Sequence, residues 1–220
     1  MNSSPFVRRE NPFATLRRMA RTGADIEPSE RCEFCSLAVA PGHRHVLELA
    51  TRKIVCSCDP CALRFENVVG KWKLIPRDAR RLNGFNITDA QWESFSLPIQ
   101  LAFFFHSTPA RKVLAMYPSP AGATESLLSL NSWDALVADN PALAEMQLDV
   151  EALLANRLNG ASEYYLAPVD VCFELVGLIR LHWRGFSGGD RVWHEMNKFF
   201  TRLRENSLPT PNLRVEAAHA

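Results

Sequence analysis

Five of the six cysteines in this 220-residue chain fall within one short stretch, Arg31 to Phe65, which reads RCEFCSLAVAPGHRHVLELATRKIVCSCDPCALRF. Two of its pairs, Cys32/Cys35 and Cys58/Cys61, are each separated by two residues. That spacing lets the backbone fold over so that both thiolates converge on one ion while neighbouring amides point at the sulfurs. Two such knuckles joined by a segment able to form a hairpin predict a tetrahedral, structural Zn site of zinc-ribbon type. Cys56 is a rival for the fourth position, because it stands two residues before Cys58 and on a strand both side chains would leave by the same face. The symmetric knuckle pair needs the least distortion and favours Cys32, Cys35, Cys58 and Cys61 as the metal ligands. His43 and His45 also share a face if their segment is extended. An imidazole could replace a thiolate there, but with five cysteines at hand the two rings read as polar strand residues or hydrogen-bond partners of the ligands. The alternative chemistry is a redox-active Fe centre of rubredoxin type, or an exchangeable metal site that uses the extra thiol of Cys56.

The rest of the sequence bounds what such a centre serves. With 47% hydrophobic and 22% charged residues, the chain has ample material for a core and is not a disordered protein. A formal net charge of +1 gives no global field for nucleic acid or acidic lipid, so binding of that kind would need a local patch. A nucleic-acid-binding zinc ribbon is therefore the lesser alternative: within residues 31–65 only Phe34 and Phe65 supply aromatic rings. The first residues, MNSSPFVRRENPFATLRRMART, lack the apolar run of a signal peptide, and no such run follows Arg8/Arg9. A cytoplasmic, reducing location is expected, where clustered cysteines hold metal more often than each other. The longest apolar stretches, Leu101 to Phe105 and Val171 to Leu181, fall short of the roughly 20 residues that cross a bilayer.

The elements that must position the cysteines follow from pattern. Residues 1–30 read as a basic arm and linker, first of all a solvated tail and alternatively a docking arm for an acidic partner, in which Phe13, Leu16 and Met19 or Ala20 have the spacing of a short amphipathic helix from about Pro12 to Thr22. Within a module over 31–66, His45 to Leu49 alternates as a strand, Ala50 to Arg52 turns and Lys53 to Cys56 returns, with Pro60 opening a short helix through Phe65. An α+β body over 67–208 begins with a strand from Lys71 to Ile75, followed by a polar, turn-like stretch from Arg77 to Asn86. Thr88 is a good N-cap for a helix over Asp89 to Phe95 that turns Trp92 and Phe95 inward. Ile99 to His106 and Arg111 to Tyr117 form an antiparallel hairpin, and Thr124 to Leu130 adds a third strand. Ser132 reads as the cap of a helix over Trp133 to Asp139, broken by Asn140-Pro141, with a helical turn over Ala142 to Gln147. Val150 to Arg157 pairs with Glu163 to Ala167 through a tight Asn159-Gly160 turn, placing Tyr164 and Tyr165 on opposite faces. Two C-terminal helices close the body. The first opens at Pro168 with Val171, Leu175, Leu178 and Leu181 as its inner stripe. The second, about Asp190 to Asn206, carries Val192, Met196, Phe199 and Leu203. Residues 209–220 are a tail.

Outside the cysteine stretch the chemistry is thinner. Cys172 lacks a base and an orienting group at readable spacing and reads as a buried small hydrophobe. Asp170, Glu174, His182 and Glu195 are explained by solvated helix faces as well as by an acid/base site. The LHWRGFSGGD segment, Leu181 to Asp190, offers backbone amides and nearby arginines to an anion, but it lacks the spacing and lysine of a P-loop, and a glycine-built helix connection accounts for it. No catalytic constellation emerges, and a non-enzymatic role is expected.

Three blocks together, CEFC with HRHVLELATRKIVCSCDPC, then EYYLAPVDVCFELVGLIRLHWRGFSGGD, then VWHEMNKFFTRL, carry a further signal. From about Arg31 to Arg204 the chain resembles a bacterial family, known only as a domain of unknown function, that tends to be encoded in clusters with actinobacterial-type [NiFe] hydrogenases. The resemblance implies a role around hydrogenase assembly, maturation or electron flow, with a hydrogenase subunit or maturation protein as the expected partner.

Overall fold

One interior strand of the molecule is apolar over its first five residues because both of its faces are covered. In the computed structural model, which describes residues 30–66, 68, 70–126 and 130–210, Leu101–Ser107 (LAFFFHS) lies inside a seven-stranded sheet, next to its middle strand. Leu101, Phe103 and Phe105 point into one apolar cluster, while Ala102 and Phe104 point into a second on the opposite face. A strand buried on both sides loses the alternation expected of a half-exposed one. Glu151–Asn156, its antiparallel neighbour, is buried at every position for the same reason.

Among the described residues the strands are β1 (Arg44–Glu48), β2 (Lys53–Ser57), β3 (Trp72–Leu74), β4 (Arg80–Arg81), β5 (Leu101–Ser107), β6 (Lys112–Ser119), β7 (Gly122–Ser126), β8 (Glu151–Asn156), β9 (Glu163–Pro168) and β10 (Leu208–Pro209). The helices are α1 (Asp59–Glu66), α2 (Asp89–Ser94), α3 (Leu130–Asp139), α4 (Val169–His182) and α5 (Gly189–Asn206), with 3-10 turns at Pro141–Glu145 and Leu158–Gly160. A small sheet runs β2-β1-β3 and a large one β10-β4-β9-β8-β5-β6-β7. All pairings are antiparallel except β10 with β4. The molecule is thus α+β with antiparallel sheets.

One face of the large sheet packs against α4 and α5, whose Cys172, Leu175, Ile179, Val192, Met196 and Phe199 share a cluster with Phe103, Leu154 and Tyr165. Trp92, Phe95, Trp133 and Leu136 of the α2 and α3 region cover the other face, around Phe104, Leu153 and Tyr164. Tyr164 and Tyr165 accordingly point to opposite sides. Thr88 caps α2 through a reciprocal capping box with Gln91, satisfying two orphan amides at the helix start.

Several elements depart from sequence expectation. The Arg77 to Asn86 stretch contains β4, which pairs with β9 and β10. Helix α3 starts at Leu130, so Ser132 lies inside it rather than at its cap. The third strand spans Gly122–Ser126 rather than reaching Leu130. Helix α4 buries Val169, Cys172, Leu175, Val176 and Ile179, whereas Val171 and Leu178 are half-buried and Leu181 is 65% exposed. Its sequence is apolar around most of its circumference, so the partner surface selects the buried stripe. In α5 the stripe is as expected, with Phe200 added. The predicted Pro12 to Thr22 helix lies outside the described residues.

The connection between α4 and α5 is a closed turn. Trp183 Nε1 donates to the Gly185 carbonyl at 2.8 Å, Trp193 Nε1 to the Ser187 carbonyl at 3.1 Å, and the Arg184 amide to the Gly188 carbonyl at 3.0 Å. Gly188 sits at φ 86°, and a Cβ there would lie 2.8 Å from Val192 Cγ1, so glycine is required by both backbone and space.

Candidate metal centre

The described residues between 30 and 75 fold as a lobe on the α4 side of the large sheet, where Leu47, Leu49 and Ile75 join the α4 cluster. The β1–β2 hairpin pairs Arg44 with Ser57 and Glu48 with Lys53, with Arg52 at φ 56° in its turn. This pairing brings the second knuckle back beside the first. Strand β3 adds to β1 through Val46–Leu74 and Glu48–Trp72, so the small sheet extends past residue 66 into the segment assigned from sequence to the body.

The first knuckle is closed by its own backbone. The Cys32 amide donates to the Leu37 carbonyl at 2.8 Å and the Ser36 amide to the Cys32 carbonyl at 2.7 Å, with Ser36 left-handed at φ 63°. Glu33 fastens it to β2: its amide donates to the Cys56 carbonyl at 2.9 Å, and its Oε1 accepts from the Cys56 amide at 3.1 Å. Phe34 stacks on Phe65 of α1 with centroids 4.0 Å apart and meets Trp72 of β3 edge-on at 5.3 Å, so aromatic packing ties the knuckle to both elements.

The second knuckle is the start of a helix. The Cys58 carbonyl accepts from the Ala62 amide at 2.9 Å, and Pro60 occupies the first turn, where its missing N–H has no intrahelical role. Asp59 favours the positive end of α1 and also receives Arg44 at 2.9 Å and Arg77 at 3.3 Å.

Together these elements bring the Sγ atoms of Cys32, Cys35, Cys58 and Cys61 within 4.8 Å of one another, with Cys35 and Cys58 at 3.7 Å. A tetrahedral site with Zn–S bonds of about 2.3 Å has sulfur–sulfur edges of about 3.8 Å. The four thiols therefore fit a zinc ion after contraction of the longer edges. Burial would raise the Cys32 thiol, but backbone N–H groups of Cys58, Cys35 and Phe34, joined by the Cys35 side chain, outweigh it and lower it to about 6. Cys61 is pushed up to about 12 by burial and by the other three thiols. Four thiolates this close repel one another, and a divalent cation at their centre removes that penalty.

Cys56 is not in this group. Its Sγ lies with His43 and His45, where one donor atom from each falls within 4.8 Å of the others. The ring of His45 is held by Asp170, Nδ1 to Oδ2 at 2.7 Å, a contact between residues 125 positions apart that no local pattern could announce. The remaining sequence candidates scatter. Cys172 is fully buried in the α4 side of the core, and burial pushes its thiol far up. Glu174 pairs with Arg202 and Glu195 with Lys198, in separate surface ion pairs. Two further contacts missed from sequence join lobe and body: Lys73 Nζ of β3 reaches Asp149 Oδ2 at 2.8 Å and the Leu148 carbonyl at 3.1 Å.

Among the described residues no helix is long and apolar enough to cross a membrane. Neither the curated proteins nor the solved structures contain a match to this chain. A family model does match, over residues 31–207, and that span takes in both knuckles, both sheets' main strands and the two C-terminal helices. With most of its length covered in this way, the chain belongs to a family of unknown function (DUF5947).

Proposed function

We propose that the protein is a non-enzymatic accessory factor in which one zinc ion, held by Cys32, Cys35, Cys58 and Cys61, fixes a small lobe for contact with another protein. The observation that carries this reading is the closure of the four sulfurs on one another. Four protein ligands complete a tetrahedron and leave no position for substrate, which is the arrangement of a structural rather than a catalytic zinc. Leu37, beside the first knuckle, and Leu63, on α1, are 58% and 55% exposed, and both are proposed as contact residues for that partner.

The partner class follows from the resemblance described above: a subunit or maturation protein of a [NiFe] hydrogenase, with the accessory acting in assembly. Metal analysis of the purified chain should return zinc bound to the tetrathiolate site. Affinity capture from cells expressing a hydrogenase operon should recover an identified hydrogenase component, and less of it from a Leu37→Glu, Leu63→Glu variant. Absence of metal, or capture of no hydrogenase component, would defeat the proposal. The same four thiolates also suit iron. A red, ferric-thiolate absorption in anaerobically purified protein would replace the structural zinc with a rubredoxin-like electron carrier.

A further inference from the structure

The donors left over from the tetrathiolate group have a geometry of their own. His45 and Cys56 are cross-strand partners in the β1–β2 register, and His43 stands two residues before His45 on the same face. The rings of His43 and His45 meet edge-to-face with centroids 4.7 Å apart. This is the face that also turns Leu47 and Leu49 toward the body, opposite the one occupied by Val46 and Val55.

Both imidazoles are committed at Nδ1. That of His43 lies 3.1 Å from the Ala40 carbonyl, which can only accept, and that of His45 lies 2.7 Å from the Asp170 carboxylate. In a neutral ring, donation from Nδ1 leaves a lone pair on Nε2. The His43 side chain is only 7% exposed, and its Nε2 is buried with no hydrogen-bond partner among the described residues. A buried acceptor with nothing to accept from is unfavourable, and in a native structure it points to a missing partner. Asp170 is itself held, its Oδ1 accepting from the Val171 amide at 2.8 Å. A carboxylate fixing one nitrogen of an imidazole is how metal-binding histidines are commonly oriented. Glu30 and Glu33 add negative charge around His45 and Cys56, which Lys53 offsets in part.

We propose that His43, His45 and Cys56 form a second, open metal site that binds a divalent transition-metal cation through the two Nε2 atoms and the Cys56 thiolate, with Asp170 as a positioning residue. Two imidazoles and one thiolate suit ions of borderline softness such as Zn2+ or Co2+ and not Mg2+ or Ca2+, which take oxygen donors. Binding releases the Cys56 proton to solvent. Three protein donors leave a fourth position for water or for a ligand atom from another molecule, so this site can exchange its ion where the tetrathiolate centre holds one. The inference stands apart from the accessory role proposed above, because it uses none of the four knuckle cysteines.

The test is a Co2+ titration of the reduced, metal-stripped full chain, followed by Zn2+ displacement and metal counting. Two equivalents are expected, the second with one thiolate's share of the sulfur-to-cobalt charge-transfer intensity against four in the first. Cys56→Ser and His45→Asn should each remove the second equivalent and keep the four-thiolate spectrum, which reports in the same sample that the lobe is folded. Asp170→Asn should weaken the second equivalent by about 10- to 100-fold and leave the first unchanged. Saturation of the wild-type chain at one equivalent overturns the proposal, as does a Cys56→Ser protein that still binds two.

Discussion

The lobe around the cysteines and the body behind it solve the same stability problem with different means. The body places the large sheet between two apolar clusters, and its central side chains, among them Phe103, Phe104, Leu153, Leu154 and Tyr165, are fully buried. The lobe has a three-stranded sheet and one short helix, and among the described residues its buried apolar side chains outside those two clusters, the knuckle cysteines Cys32 and Cys58 aside, are Val46, Val55 and Ala62. So small a set removes too little surface from water to offset the ordering of some forty residues, by general size arguments. The cation proposed above, bridging both knuckles, would supply what the lobe lacks. The separation is incomplete, since Leu47, Leu49 and Ile75 leave the lobe to join the body's α4-side cluster. On the zinc reading proposed above, a lobe that depends on one ion and docks by one apolar face should fail locally, whereas the body should fail as a whole.

The largest expected effect breaks the comparison at the ion. Cys58→Ser removes one of four ligands, and binding free energy in structural zinc sites is folding free energy, on the order of 10 kcal/mol. Amide hydrogen exchange should then show β1, β2, β3 and α1 unprotected while β5, β8 and β9 stay slow, and a strong chelator should reproduce the pattern in the wild-type chain. Uniform loss of protection across both sheets would show that the lobe and body form one cooperative unit. Second in size is Phe104→Ala, which empties a fully buried site between Phe95 and Trp133. It should cost about 3–5 kcal/mol and lower the global unfolding midpoint, with the metal content unaffected.

What was legible in the sequence tracks how local each determinant is. The pair of CxxC spacings, the hairpin between them, the N-cap at Thr88 and the stripe of α5 each rest on residues a few positions apart, and the structure forms the hairpin, the cap and the stripe and brings the four cysteines together. Strand β4 is two arginines, too short to show alternation, and it exists because β9 and β10 flank it. The buried stripe of α4 is not legible in sequence because apolar residues surround most of that helix and its neighbours choose among them. The grouping of Cys56 with His43 and His45, rather than with the knuckles, depends on strand register, which carries Cys56 across from His45 while Cys58 leaves the sheet for the start of α1. The Asp170 and Lys73 contacts span too many residues for any spacing rule to reach.

A third perturbation falls between the two regions. Asp149 is buried with its side chain 2% exposed, sits left-handed at φ 69°, and accepts from the Thr108 amide at 2.7 Å, the Thr108 hydroxyl at 3.0 Å and Lys73 at 2.8 Å. Lys73→Ala strips a buried carboxylate of its one cation partner among the described residues while leaving its neutral donors. Because the ammonium is about one-third exposed, the loss should be about 2 kcal/mol, below the range for breaking a wholly buried pair. Equilibrium denaturation should register it, and exchange should quicken first in β3. An effect confined to the body would mean that the pair buttresses the Asp149 turn and does not hold the lobe.

The smallest effect contrasts two cysteines of the same chain. Cys172 is as buried as Cys32, yet its surroundings are Leu175, Val176 and the sheet rather than other sulfurs, and it behaves as a small hydrophobe. Cys172→Ala deletes one sulfur from a packed core and should cost about 1 kcal/mol, with metal stoichiometry unchanged. Because burial opposes ionisation, the Cys172 thiol stays protonated at neutral pH, and alkylation of the metal-stripped chain, its lobe opened and its body still folded, should modify Cys35 early and Cys172 only on global unfolding. Modification of Cys172 at the rate of Cys35 would mean that the body opens as readily as the lobe, and the division of labour between ion and core would not hold.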